Sequence, residues 1–324
     1  MSGRTLRATT AAVALRVGAE VSEALAARRP VVALESTIFS RLGLPSPSNR
    51  ECLDRCVAAI RAAGAVPALT GVLDGSAVVG VEPGQAARLL GASVKVAARD
   101  VPVAVAEGLA VGVTTVSASV TLADAAGIEV FATGGIGGVH RGVESSGDVS
   151  HDLTALARHP VVTVSAGAKA FLDLERTLEH LETLGVPVLG WRTDRFPSFY
   201  GRDSGLAAPA RVDSAEAVAR IVRAAARLGH PGGVLVANPI PESDELDSDL
   251  LDAALASGLA EVQRRRLRGP EVTPVVLAAI AEATEGDSVP ANLALAESNA
   301  AVAAEIAGAL ARCPSDVEGV DHER

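Results

Sequence analysis

Lysine is nearly missing from this chain: of 29 lysine and arginine residues only Lys95 and Lys169 are lysine. Aromatic residues are as scarce, at 2% against 48% hydrophobic in all. A core must then be built from Ala, Val, Leu and Ile, which suits helices packed on a sheet. With 324 residues the chain is long enough for one large or two ordinary domains, each with a sizeable core. The three cysteines, Cys52, Cys56 and Cys313, provide no disulfide framework and fit a reducing compartment. Cys52 and Cys56 lie one helical turn apart in "ECLDRC" without further ligands for a metal, so they read as packing residues.

Excess positive charge is also absent. The formal net charge is −10 and no basic stripe stands out, which argues against a nucleic-acid surface. The one basic cluster, "RRRLR" at 264–268, follows a helical pattern that begins near Ser248 and reads as a solvated helix end. No run is long and apolar enough for a bilayer: the longest uncharged stretch, 108–123, is rich in Gly, Ser and Thr. Near the N-terminus, "AAVAL" is broken by Arg16, with Glu20 and Glu23 behind, unlike an export signal. A cytoplasmic protein with no membrane partner is expected. Neither HExxH, G-x-S-x-G nor a pair of C-x-x-C motifs occurs, so metalloprotease, serine hydrolase and zinc-module readings lack support.

What is present is an alternation of short apolar runs and alanine-rich amphipathic stretches. Strands are expected at 30–36, 65–73, 76–81, 113–118, 128–133, 161–166, 186–191 and 232–239. Helices are expected at 17–28, 49–63, 84–90, 119–126, 152–158, 170–184, 214–228, 248–264, 272–284 and 292–311. Gly64, Gly127, Gly185 and Gly229 follow helical stretches as stop signals. The pattern predicts an α/β fold whose sheet is covered on both faces. No linker divides it, so one domain over 17–312 is expected, with an extension at 1–16 and a polar tail at 313–324.

In open α/β sheets ligands gather where strands end. Glu35, Thr133, Lys169 and Asn238 all stand at such ends. Lys169 follows "PVVTVSAGA", an apolar run where charge is costly. A buried amine with a second cation nearby, for which Lys95 is available, becomes a nucleophile that guanidinium cannot replace. The plain alternative is that chance left two solvated lysines. Glu35 ends "VVALE" and could have its pKa raised enough to deliver a proton, or could be a loop or capping carboxylate. The glycine run in "FATGGIGGVHRG" could wrap an anion with free amides or be a flexible loop; it matches neither the dinucleotide fingerprint nor a P-loop. Asp148, Ser150, His151 and Asp152 precede a helix and read either as its cap or as an oxygen-rich cation site. His140 could bind phosphate or bond within its loop, whereas His159, His180, His230 and His322 read as surface residues.

Several blocks, in order, carry a resemblance: "VALESTIFSRLGLPSPSN", "KVAARDVP", "TTVSAS", "VFATGGIGGVHRG", "DVSHDL", "SAGAKAFLDLERTLEHLETLGVPVLG", "GGVLVANPIPE" and "EVTP" followed by "ANLALAESNAAVAAEIA". Over roughly residues 17–310 the sequence resembles the pseudouridine-5'-phosphate glycosidases (pseudouridylate synthases), relatives of the indigoidine-cluster A protein. The resemblance implies a three-layer α/β/α fold with a mixed, largely parallel sheet, a homotrimer, and one Mn²⁺ per subunit. It implies reversible cleavage of the C–C glycosidic bond of pseudouridine 5'-phosphate to uracil and ribose 5-phosphate. Carried over by motif, Lys169 is the nucleophile, Glu35 the proton donor and Asp148 the metal ligand. Lys95, Val116, Ser150, His151 and Asp152 contact substrate, and Thr133, His140 and Asn292 line the site. Four departures stand out. The "SRLGLP" loop is one residue longer and lacks a histidine common there, and "GLAVGVTTV" is also one residue longer. Proline replaces a common lysine in "RGPEVTP", and His151 replaces a small residue.

A C–C bond has no leaving heteroatom to protonate, so the paired-carboxylate scheme of ordinary glycosidases does not suit it. A neutral lysine amine can attack C1' of the opened ribose, and protonation at uracil C5 then releases the base and leaves an imine for water to hydrolyse. The rival readings are another lysine Schiff-base lyase or aldolase, a pyridoxal-phosphate enzyme, and a non-catalytic sugar-phosphate-binding protein.

Overall fold

The computed structural model describes residues 15–265, 267 and 272–313. The extension therefore lies outside the described residues except for its last two, which open a strand. The tail beyond Cys313, with His322, lies outside them too, as do Arg266, Arg268 and Glu271. Among the described residues the strands are β1 Leu15–Val17, β2 Val31–Leu34, β3 Val66–Leu73, β4 Ser76–Val79, β5 Lys95–Val96, β6 Val111–Thr114 and β7 Val130–Ala132. They continue with β8 Val139–His140, β9 Val162–Ser165, β10 Leu172–Asp173, β11 Val188–Trp191, β12 Ala210–Val212 and β13 Val234–Ala237. The first helices are α1 Ala19–Ala26, α2 Ser48–Ala62, α3 Pro83–Leu90, α4 Val101–Ala106, α5 Val116–Ala125 and α6 Val143–Ser146. After them come α7 His151–Arg158, α8 Leu174–Thr183, α9 Ala215–Arg227, α10 Ser248–Arg265, α11 Val272–Ala283 and α12 Ser288–Arg312.

The main sheet runs β1-β4-β3-β2-β7-β9-β13-β11-β12, with β6 joined to β3 and β5 to β6. From β3 to β12 all neighbours on this path are parallel, and antiparallel pairing in this sheet is confined to β3–β4 and β3–β6. Every residue of β2, β7, β9 and β13 is buried, as a sheet with helices on both faces requires. Helix α12 packs along β2, β7 and β9 and against α2 and α9, while α5 lies on β2, β3 and β7 and against α7. At 25 residues α12 is long and apolar enough to cross a membrane, yet it is the helix most deeply packed against this sheet. The fold is thus the single α/β domain expected, with a mixed, mostly parallel central sheet. Cys52 and Cys56 are buried in the core on α2, as packing residues.

Register is what positions the site. Leu34 pairs with Ala132, Ala132 with Val164, and Ser165 with Ala237, so the carboxyl ends of β2, β7, β9 and β13 finish in line. Glu35, Thr133 and Asn238, each one residue beyond its strand, therefore stand along one edge. Three local expectations differ. The strand at 113–118 stops at Thr114, and Val116 begins α5, because the Asp152 carboxylate accepts the Ser117 N–H at 2.9 Å and caps the helix from a distant segment. The helix expected at 170–184 begins only at Leu174, since Leu172 and Asp173 pair with β8. The boundary drawn after residue 16 falls inside β1, whose parallel pairing with β4 ties it to the sheet.

Candidate active site

Burial acts first on Glu35. At the end of β2 the residue is 7% exposed, and its carboxylate accepts a hydrogen bond from the Thr133 hydroxyl. Desolvation pushes its pKa above the ordinary carboxylate value. Lys169, the Thr133 hydrogen bond and Lys95 oppose that rise, and Asp152 adds to it. Lys169 follows β9 through Gly167, whose φ of +77° suits glycine, and a methyl group there would sit 2.3 Å from the Pro197 carbonyl oxygen. The Lys169 N–H donates to the Ile136 carbonyl at 3.1 Å, which pins the lysine to the glycine run. Lys95, from β5, faces the same space: desolvation, then the nearby Lys169 charge, lower its pKa against the pull of Asp152 and Glu35. The two lysines that the sequence retains therefore share one site.

Glu35, Lys95 and Lys169 line two cavities at once. The smaller, about 240 Å³, is walled by Ile38, Leu42, Phe171, Phe199 and Tyr200, with Asn292 from α12. The larger, about 690 Å³, is polar and holds Val116, His140, Asp148, Ser150, His151 and Asp152. Together with Thr133 behind Glu35, every site residue implied by the family resemblance is brought to this one region.

Not all of them are free to meet a ligand. Asp152 is buried and its two oxygens accept the Ser117 and Gly137 N–H groups, each at 2.9 Å. Ser150 caps α7 by accepting the Asp152 N–H at 3.2 Å, so the capping reading holds for it. Part of the glycine run is already bound within the protein. The amides of Ile136, Gly137 and Val139 donate to the Gly167 carbonyl, Asp152 and Thr177. Its glycines serve close packing instead: methyl groups at Gly135, Gly137 and Gly138 would lie 2.5, 2.3 and 2.5 Å from Phe199, Ser150 and Thr177. Burial pushes the His140 pKa down, Asp148 opposes this, and its Nδ1 lies 3.8 Å from the Asp148 carboxylate.

Asn292 is buried and its Oδ1 has no partner among the described residues, while its amide donates to the Tyr200 hydroxyl at 3.5 Å. An unpaired buried acceptor facing an apolar pocket is available to a ligand N–H. Burial raises the Tyr200 pKa far above the ordinary phenol value, so its hydroxyl stays protonated. The sequence reading missed the aromatic wall. Phe199 has φ +71°, unusual for a bulky residue, and only the packing of 196–200 over Gly135 and Gly167 requires it. His180, expected at the surface, lines the larger cavity from α8. Asn238 lies outside both cavities and bonds to α12. His159 is half-buried, bonded to Asp124 at 2.7 Å and Thr121 at 3.0 Å.

A lysine and a desolvated carboxyl at the carboxyl edge of an α/β sheet define a site for covalent or acid–base work on a small polar molecule. The chain belongs to the family described as Indigoidine synthase A like protein, which matches residues 20–309. A pseudouridine-5'-phosphate glycosidase of Methylobacterium nodulans is 51% identical over 294 residues, covering 90% of this chain and 86% of the relative. One of Chloroflexus aurantiacus is 50% identical, covering 90% and 97%. Among solved structures, the prealnumycin C-glycosynthase AlnA in complex with ribulose 5-phosphate is 40% identical with a TM-score of 0.85, covering 92% of this chain and 97% of its own. An indigoidine synthase A-like protein of Thermotoga maritima is 38% identical with a TM-score of 0.82, covering 93% and 97%.

Proposed function

We propose that this chain is a pseudouridine-5'-phosphate glycosidase that cleaves, reversibly, the C–C bond between ribose and uracil. The observation that carries the reading is Lys169 and the buried Glu35 opening on one apolar and one polar cavity. Relatives of that name at about half identity over most of the chain support it, as does the sugar-phosphate complex of AlnA.

In this reading the pyrimidine occupies the apolar cavity, where Asn292 Oδ1 accepts a ring N–H. The ribose and phosphate extend into the polar cavity, toward Lys95, Ser150 and His151, with Arg99 at its rim. The Lys169 amine bonds to C1' as the C1'–O4' bond breaks, and the proton that the amine loses passes to the ring oxygen, which leaves as the C4' hydroxyl. Glu35 gives its proton to uracil C5 as the C1'–C5 bond breaks, and the electron pair of that bond takes up the proton. The product is uracil and an imine between Lys169 and ribose 5-phosphate. Water hydrolyses the imine and returns the amine. A raised Glu35 pKa fits the proton-donor role, because the acid must be protonated near neutral pH.

Among the described residues no group of three or more His, Cys, Asp or Glu side chains is arranged to hold a metal. The donor set at the polar cavity fits a hard cation carried mostly by water and ligand oxygens, with Asp148 as its protein ligand. When bound, Mn²⁺ would supply positive charge beside the sugar-phosphate oxygens. A homotrimer in the cytoplasm completes the proposal, and light scattering tests the assembly.

Incubation with pseudouridine 5'-phosphate, Mn²⁺ and borohydride should release uracil and leave a ribose-phosphate adduct on Lys169. Near-normal uracil release by Lys169→Arg would overturn the covalent step. A sugar-phosphate sensor predicts binding without turnover, and a pyridoxal-phosphate enzyme predicts a yellow protein.

A further inference from the structure

We propose that Asn299 is a positioning residue for Glu35, acting through Thr133 and itself held in place by Asn238. The proposal rests on the proton-donor role given to Glu35 above. Helix α12 passes the carboxyl ends of β7 and β9. There the Asn299 side chain, fully buried, donates through Nδ2 to the Thr133 carbonyl at 2.8 Å and the Gly134 carbonyl at 3.2 Å. Its Oδ1 accepts from Asn238 Nδ2 at 2.9 Å, and that nitrogen also reaches Ser298 Oγ at 3.0 Å. The Asn238 main-chain N–H in turn donates to the Ser165 carbonyl at 2.8 Å. One amide thus ties the ends of β7, β9 and β13 to one helix.

The arrangement admits only an asparagine-like group. Two carbonyls face donors and one amide nitrogen faces an acceptor, so a single orientation of the Asn299 amide matches all three. Aspartate has no donor to offer the carbonyls, and leucine leaves the Thr133 carbonyl without its donor and takes one of two partners from the Gly134 carbonyl and from Asn238 Nδ2, which keep the Ala166 N–H and Ser298 Oγ. The Thr133 backbone is held on one side by Asn299 and on the other by its N–H to the Val164 carbonyl at 3.1 Å. Its hydroxyl is thereby aimed at Glu35. Asn292 sits seven residues before Asn299 on α12, two turns along and on the same side, so the same anchor sets the depth of Asn292 in the apolar cavity.

The test reads Glu35 directly. In protein carrying ¹³C-carboxyl glutamate, the Glu35 resonance is the one lost in Glu35→Gln. Its titration is followed in the wild type, Thr133→Val, Asn299→Ala, Asn238→Ala and the double variant Thr133→Val/Asn299→Ala. The charged groups facing Glu35, namely Lys169, Lys95 and Asp152, are unchanged throughout. Thr133→Val removes a donor to the carboxylate and raises the midpoint. Asn299→Ala is expected to raise it by roughly half a pH unit, Asn238→Ala by less, and the double variant no further than Thr133→Val. Uracil turnover should fall about tenfold in Asn299→Ala, with no added loss in the double variant over Thr133→Val. An unchanged midpoint in the asparagine variants, with only the melting temperature lowered, would overturn the proposal, as would additive effects in the double variant. Should Asn299→Ala fail to fold, Asn238→Ala leaves Asn299 in place and decides alone. The titration needs no substrate, so a wild type that releases no uracil would refute the glycosidase reading while the positioning role is still measured.

Discussion

Replacing Gly137 by alanine should damage both stability and turnover, by an amount that can be worked from the packing. A methyl group there would lie 2.3 Å from Ser150 Oγ, 2.7 Å from Ser150 Cβ and 2.8 Å from Asp152 Oδ2. Those contacts are far inside van der Waals distance, so the start of α7 must move or the glycine run must. Overpacking of this kind costs about 1–3 kcal/mol. Movement of α7 also disturbs the bonds from Ser117 and Gly137 to the buried Asp152 carboxylate, each a hydrogen bond to a charged group worth about 1.5–3 kcal/mol. Losing one of them brings the total to about 2.5–6 kcal/mol, reduced where the open cavity lets Ser150 swing away. Urea unfolding reads the stability, and uracil release, expected to drop roughly a hundredfold, reads the displaced site. Gly142→Ala is the control. Its φ is +79° with nothing within 4 Å of an added methyl group, so it should lose about 1 kcal/mol through backbone strain and keep its activity. A Gly137→Ala protein as stable and active as the Gly142→Ala protein would refute the close-packing account of the glycine run.

Glu35→Gln should abolish uracil release and raise stability in alkaline solution. A carboxyl whose folded pKa is raised contributes stability below its unfolded pKa and loses it as pH rises through the folded value, so the gain over wild type should grow along that rise and vanish in acid. Wild-type activity should fall on the alkaline side of the same titration, as the proton donor is lost. Arg223, which donates to the Cys313 carbonyl at 2.7 Å and the Leu310 carbonyl at 3.0 Å, closes the C-terminus of α12. Arg223→Ala should lower the urea midpoint by the equivalent of about 1–3 kcal/mol with KM unchanged. Chelation should suppress turnover until Mn²⁺ is restored, and Asp148→Ala should need far more Mn²⁺ for half-maximal rate; metal-independent activity in both would remove Asp148 as a ligand.

The strand-end residues were legible because a parallel sheet puts chemistry at its carboxyl edge, and β2, β7, β9 and β13 are short apolar runs whose ends are marked by Glu35, Thr133, the small residues before Lys169, and Asn238. Lys169 and Lys95 stood out by rarity, and Lys169 also by the apolar run before it. The aromatic wall was not legible: Phe199 and Tyr200 belong to a loop without periodicity, and nothing local requires a positive φ at Phe199. The glycine run was read as open or flexible because glycine permits both. The amides of Gly137, Val139 and Ile136 are bound to Asp152, Thr177 and the Gly167 carbonyl, which are distant in sequence. The start of α5 was placed too late for the same reason, since its cap is Asp152, thirty-five residues beyond Ser117.

The class of fold, the extent of the core and the choice of Lys169 as the candidate nucleophile could be read without coordinates, because hydrophobic periodicity and the choice of lysine over arginine are properties of single residues and near neighbours. Tertiary structure alone decided which polar groups are free and which are already bound. That depends on strand register and helix packing, which bring Asp152 to Gly137, Asn299 to Thr133 and Lys95 to Lys169, and which determine how far each group is removed from water.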